Sequence, residues 1–245
     1  MAKVGLKVLC GMIGVVMLIQ CATLRIPVEG AGAITDSPRT VAPFAELKVS
    51  GNVDLVLSPD SLFSVSVTAH ENLLPHIRTQ VEHDQLLVST TVPIRSQVPV
   101  RIAISLPALS RLEVSRSGNI SATSQLSAEN FTAVIRESGT VALDISAKTV
   151  HLFLTDTEIV RIKGTAHTIE ATLNGRSVLD SRALEAKVGR VNLYGPSQSS
   201  IYASKVLFAQ VDGPGVVTYY GQPEELNRQI RGPGQIKAGA VSPLN

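Results

Sequence analysis

Nucleophilic or metal chemistry in this chain would have to involve its five histidines, His70, His76, His83, His151 and His167. A hydrolytic constellation needs a histidine beside a Ser or Cys, oriented by a third group. No such grouping is legible. His76, His83 and Asp84 are near enough in sequence for a metal to be imagined among them, but their spacing matches no known metal site. They read as surface residues of a loop-rich segment, and His151 and His167 as outward, solvated side chains. Nothing in the sequence implies a cofactor.

Carboxylates offer one further possibility. Glycoside cleavage needs two of them roughly 5–9 Å apart, one with a raised pKa. Glu137 and Asp156 recur at the same point of a repeat, one unit apart, and are the one pair the repeat brings near that separation. The plainer reading is two solvated acids on a corner. Tyr194, Tyr202, Tyr219 and Tyr220 fall elsewhere in the repeat, so no aromatic platform accompanies the pair. Tyr219 and Tyr220, with Val216 and Val217, form the densest aromatic and apolar patch, either a binding surface or terminal packing. Glu137, Asp156, Tyr219 and Tyr220 are therefore the candidate binding residues, and no residue takes a catalytic or metal role.

These positions are set by a repeat that starts at Leu112. An apolar residue at every second position, three times over, leads to Gly or a turn-tolerant residue. The units begin at Leu112, Phe131, Val150, Ile169, Gly189, Leu207 and Leu226, in steps of 19, 19, 19, 20, 18 and 19 residues. Period two puts alternate side chains on one face of a strand, and stacked strands turn each apolar position into a ladder. A second, shorter apolar set follows each turn: Ile120, Val141/Leu143/Ile145, Ile159/Ile162, Val178, Ile201, Val216 and Ile236. About 19 residues leave no room for a crossover helix. The fold class is all-β, with a coiled β-helix favoured over stacked hairpins because every copy keeps one phase. Gly118, Gly139, Gly175, Gly195, Gly213, Gly215, Gly232 and Gly234 are expected at the corners, with Glu137 and Asp156 replacing Gly there.

Composition agrees. Hydrophobic residues make up 44% and aromatics 4%, with no Trp, so a packed chain of short strands is expected and gross disorder is not. Without residues 1–21, 20 basic residues face 20 acidic ones, and they are scattered, so nucleic acid is not an expected partner.

At the N-terminus, Lys3 and Lys7 precede an apolar run from Val8 to Ile19, too short to span a bilayer comfortably and typical of a secretory signal. Both cysteines, Cys10 and Cys21, lie here, so the exported part has no internal disulfide. Leu18-Ile19-Gln20-Cys21 resembles a bacterial lipobox with Gln20 where that motif takes Gly, Ala or Ser. Cys21 is the candidate lipid acceptor; the alternative is the end of an ordinary signal or uncleaved anchor. Residues 22–43, with Pro27, Gly30, Gly32, Pro38 and Pro43, read as an extended, solvated tether. Residues 44–111 read as looser first rungs and a cap, 112–238 as seven regular repeats, and 239–245 as a tail.

Several stretches resemble one bacterial family: Glu46-Leu47-Lys48-Val49-Ser50-Gly51-Asn52-Val53-Asp54, Glu71-Asn72-Leu73-Leu74, Leu106-Pro107-Ala108-Leu109, and the closing Gly213-Pro214-Gly215-Val216-Val217-Thr218-Tyr219-Tyr220-Gly221 and Gly232-Pro233-Gly234. The chain is similar over residues 44–238 to the auto-transporter adhesin "head GIN" domain, also catalogued as a domain of unknown function. That resemblance implies a single-stranded right-handed parallel β-helix, export to the cell envelope, often lipid anchoring at the outer membrane or a periplasmic location, and a role in binding a protein or glycan at the surface. It supplies no catalytic motif. Thr155-Asp156 and Asn174-Gly175 depart from the family's Ser-Gly ladder, and Gly195-Pro196-Ser197 from its Gly-x-Gly.

Overall fold

Alternating apolar positions can be buried only if each strand finds a like neighbour above and below it, and the chain meets that demand by coiling. The computed structural model describes residues 26–240. It is a β-solenoid of roughly 7 turns of about 19 residues. Along one face, Arg111–Ser115 is followed by Leu126–Arg136, Thr140–Thr155, Ile159–Asn174, Leu184–Tyr194, Val206–Asp212 and Glu225–Arg231, each parallel to the next. Past a corner, a second face stacks Ile120–Ala122, the first halves of the two long strands, Val178–Ser181, Gln198–Tyr202, Val216–Tyr220 and Gln235–Ala238.

The core is a set of ladders. In the middle of the first face, Leu112, Ala133, Leu152, Ala171, Val191 and Ala209 stack in register, all buried. Large and small side chains alternate, so each large one fills the gap its small neighbours leave. Val114, Ile135, Leu154, Leu173, Leu193 and Val211 form the adjoining ladder.

Five of the six steps expected from the sequence hold: Phe131 pairs with Val150, Val150 with Ile169, Ile169 with Gly189, Gly189 with Leu207 and Leu207 with Leu226. The first does not. Leu112 pairs with Ala133 rather than Phe131, a step of 21 residues. The two extra residues sit in the turn around Thr123–Gln125: Ile120 and Leu126 align with Val141 and Ile145, which are closer together in sequence. On the second face, Val160, Leu179 and Val217 are the buried residues, while Ile159, Val178 and Val216 face outward. The latter three were expected to point inward and are one residue out of phase, which at period two reverses the face, whereas Ile120, Val141, Leu143, Ile145, Ile162, Ile201 and Ile236 are buried as expected.

The corner between the faces is a column of left-handed residues, Gly51, Arg116, Glu137, Asp156, Gly175, Gly195, Gly213 and Gly232, with φ from 49° to 122°. Non-glycine residues pay about 1–3 kcal/mol for this conformation. The expected single glycine column is two: Gly118, Gly139, Gly215 and Gly234 sit two residues later and are not in the left-handed region.

The N-terminal end is closed by a reversal of stacking order. Glu46–Ser50 lies between Arg111–Ser115 and Gln85–Thr90, and Val53–Pro59 between Ile120–Ala122 and Val100–Leu106. The excursion from residue 60 to 106 thus lays one more parallel rung beyond the first. Antiparallel strands cover it, Ile77–Glu82 on one face and Ser64–His70 on the other. The outermost strand is Ile34–Arg39, antiparallel to Ser64–His70, with Pro38 at an edge where a missing N–H is tolerated. This corrects the tether expected at 22–43. Val28–Glu29 pairs with Ile94–Arg95, and Asn72 clamps the next turn by accepting the Ala31 N–H at 2.8 Å and donating to Glu29 O at 2.7 Å. Low apolarity in this segment reflects an edge strand, because backbone pairing needs no apolar side chains.

The opposite end is open. Among the described residues nothing stacks on Glu225–Arg231 or Gln235–Ala238, and Ile230, at an inward position, is 46% exposed.

Candidate binding face

Period two leaves three outward columns on the first face, and they carry an ordered polar surface. The middle one runs Leu87, Lys48, Glu113, Val134, Phe153, Thr172, Asn192, Gln210, Gln229. At its N-terminal end Glu113 gathers three cations: Lys48 Nζ at 3.3 Å, Arg136 Nη1 at 3.4 Å and Arg111 Nη2 at 3.9 Å. Val134 is only 7% exposed although it faces outward, and Phe153 beside it is 47% exposed. From Thr172 onward the column is uncharged.

The column to one side reads His151, Glu170, Arg190, Phe208, Asn227. Glu170 accepts from Arg190 Nη1 at 2.7 Å and lies 3.4 Å from His151 Nδ1, while the Arg190 guanidinium covers the Phe208 ring at 5.2 Å. Arg190 is thereby held by both a carboxylate and an aromatic face. The column on the other side carries Asn174, Tyr194, Asp212 and Arg231, with Tyr194 40% exposed. An open depression of about 550 Å³ lies between the middle column and the Arg190–Phe208–Asn227 column, lined by Arg190, Asn192, Phe208, Gln210, Asn227 and Arg228 among others.

The second face has a smaller depression of about 160 Å³, lined in part by Ile159, Val178, Gln198 and Val216. Beside it Arg182 grips Asp180 through Nε at 2.9 Å and Nη2 at 2.8 Å and covers the Tyr220 ring at 5.5 Å. The side-chain bond from Arg182 is the main cause that holds the Asp180 carboxyl below its ordinary pKa, against some opposing desolvation.

Glu137 and Asp156 occupy the left-handed corner on adjacent rungs, both exposed. Asp156 Oδ1 accepts the Arg176 N–H at 3.0 Å, so this carboxylate is engaged by the next corner's backbone. Tyr219 and Tyr220 are not brought to them. They belong to a rung three further along, and they point to opposite sides of their own strand. Tyr219 continues the inward column below Ile201 and packs on the core, while Tyr220 faces outward beside Tyr202. Cys21 lies outside the described residues.

His83 and Asp84 form the two-residue hairpin turn between Glu82 and Gln85, both with positive φ, as a turn matching strand twist requires. His70 bonds Gly32 O at 2.9 Å and His76 lies 3.4 Å from the Thr91 hydroxyl. Among the described residues no three His, Cys, Asp or Glu side chains converge as a metal site would need. The outward columns escaped the sequence reading because their signal is spacing alone: Thr172, Asn192, Gln210 and Gln229 follow at the step of the inward ladders.

Residues 43–223 match the family model described as "Putative auto-transporter adhesin, head GIN domain". No curated protein matches the chain significantly. Among solved structures, a "putative adhesin" from Bacteroides fragilis superposes with a TM-score of 0.80 at 16% identity, covering 86% of this chain and 100% of its own. A "Putative lipid binding protein" from Parabacteroides distasonis gives 0.72 at 17% identity over 88% of this chain and 100% of that one. A "putative adhesin" from Parabacteroides merdae gives 0.68 at 15%, covering 87% and 99%. At these identities the likeness is one of fold.

Proposed function

Because this chain belongs to the auto-transporter adhesin head GIN domain family, we propose that it is a non-enzymatic module of the cell envelope that holds a rigid β-solenoid out to a protein or glycan partner at the cell surface. The observation that carries this reading is the outer surface of the first face, whose side chains stand in ordered columns that the core does not require.

Anchoring through Cys21, by lipid or as part of an N-terminal signal anchor, gives the module an orientation. Residues 22–27 alone separate Cys21 from the first strand at Val28, at most about 25 Å of extended chain. The capped end then sits near the membrane and the open end points away from it. No helix among the described residues is long and apolar enough to cross a membrane.

The rival reading is a carbohydrate-active enzyme using Glu137 and Asp156. Against it, Asp156 accepts the Arg176 N–H at 3.0 Å, and both acids stand exposed on the corner between the faces.

Metabolic lipid labelling and cell fractionation of the wild type and of Cys21→Ser test the anchor. The wild type is expected to be labelled and to sediment with the envelope, and the variant to lose the label. Equal labelling of both removes Cys21 as the acceptor. Cleavage of any member of a broad polysaccharide panel by the intact protein, lost in Glu137→Gln/Asp156→Asn, would establish the rival.

A further inference from the structure

We infer that the distal half of the first face, from Thr172 to Gln229, is a binding strip for an extended, uncharged oligosaccharide lying along the solenoid axis, with Phe208 and Tyr194 as its aromatic flanks. This rests on the binding-module reading above and names its ligand class.

The chemistry of the strip is specific. Its central column is Thr172, Asn192, Gln210, Gln229, four successive rungs without a charge. Each Asn or Gln amide offers both donors and an acceptor in one plane, the arrangement that pairs with neighbouring hydroxyls of a sugar ring. Rungs repeat at roughly 4.8 Å, close to the length of one pyranose unit, so an extended chain along the axis meets about one amide per sugar.

The flanks supply the apolar part of the recognition. Phe208 sits in the column on one side and Tyr194 in the column on the other, on adjacent rungs, with Asn192 and Gln210 between them. A pyranose has an apolar face of C–H groups, and an aromatic ring is the side chain that covers it. Arg190 holds Phe208 at 5.2 Å and is itself tied to Glu170 at 2.7 Å, so the ring's position is fixed before any ligand arrives. The depression of about 550 Å³ at this place gives the ligand room.

The charge pattern separates the strip from the rest of the face. The same column carries Lys48 and Glu113 at its other end, where Glu113 is saturated by three cations. On the distal half the charges stand in the flanking columns, Arg190 tied to Glu170 and Asp212 beside Arg231, so a chain lying along the central column meets uncharged groups there.

The test uses the full exported chain and a set of neutral hexasaccharides: β-1,4-linked glucose, mannose, xylose and N-acetylglucosamine, and α-1,4-linked glucose. Binding is measured by calorimetry, and folding of each variant by circular dichroism. At least one hexasaccharide is expected to bind, with affinity falling about tenfold or more in Phe208→Ala and in Asn192→Ala/Gln210→Ala, while Phe208→Tyr retains it. Unchanged affinity in the folded variants would show that the sugar binds elsewhere and overturn the strip. Capture of a protein partner with no hexasaccharide bound would overturn the glycan assignment and leave the binding module standing. A chain that engages neither class overturns both.

Discussion

Asp156 Oδ1 accepts the backbone N–H of Arg176 at 3.0 Å, so a side chain on one corner caps the corner of the next rung. Between them stands Gly175, where a Cβ would collide with the same carboxylate and the backbone is left-handed at φ 65°. The pattern recurs nearer the capped end, where Asp54 Oδ1 accepts the Asn119 N–H at 2.8 Å and a Cβ on Gly118 would meet that carboxylate. Acids at these corners belong to the joint between rungs.

Replacing Asp156 by Ala is therefore expected to cost about 1.5–3 kcal/mol, the range for a hydrogen bond to a charged group. Gly175→Ala is expected to cost a similar amount through strain and collision. The two effects are coupled: Gly175→Ala should be milder in an Asp156→Ala background, because the colliding carboxylate is gone. A double-mutant cycle in denaturant measures this, and strict additivity would disprove the contact.

The alternating ladder makes a second prediction. Leu152 stands between Ala133 and Ala171, fully buried. Leu152→Ala should lose about 2–5 kcal/mol, since the two alanines cannot fill the cavity. Ala171→Leu alone should cost about 1–3 kcal/mol by overpacking. The double variant, which moves the large residue one rung along, should recover part of the sum. Thermal and chemical denaturation of the three proteins check this.

The Asp180 and Arg182 pair gives a pH dependence of definite sign. The folded carboxyl pKa lies below its unfolded value, so the pair's contribution is fully present above the ordinary carboxylate pKa of 3.8 and is lost as pH falls through the lower folded value. Asp180→Asn should therefore differ from wild type in stability at neutral pH and converge with it in strong acid. Both partners reach solvent, so added salt should shrink the difference. Parallel stability curves from pH 7 to 2 would contradict the pairing.

Arg228 is expected to guard the end of the solenoid that no further strand covers among the described residues. It takes the inward position below Ala209 on the last rung, where earlier rungs carry an apolar residue. A charge pointing inward on an unpaired edge discourages another sheet from docking there. Arg228→Leu is expected to raise the apparent mass in size-exclusion chromatography relative to wild type, with the solenoid still folded. An unchanged elution volume would show that the edge is guarded by something else.

The ladders were legible because apolar residues at period two, repeated at a near-constant step, leave few ways to stack; five of six registers follow from Phe131, Val150, Ile169, Gly189, Leu207 and Leu226 alone. The step to Leu112 was misread because a two-residue insertion near Thr123–Gln125 is invisible unless both flanking strands are aligned. The phase of Ile159, Val178 and Val216 was misread because β-branched residues serve either side of a strand, and burial of the neighbours Val160, Leu179 and Val217 decides the face. The edge strand at Ile34–Arg39 left no apolar trace, since its hold on Ser64–His70 is made by backbone bonds. The outward columns are built of Thr, Asn and Gln, whose types carry no signal until the rungs are in register.

The proposal that this module is displayed to partners outside the cell is tested most directly by proteolysis of intact cells that express the full chain. The account predicts that externally added protease digests the solenoid in intact cells, with a periplasmic marker protected in the same sample. Protection of the solenoid until the outer envelope is permeabilised would contradict surface display and place the module inside the envelope.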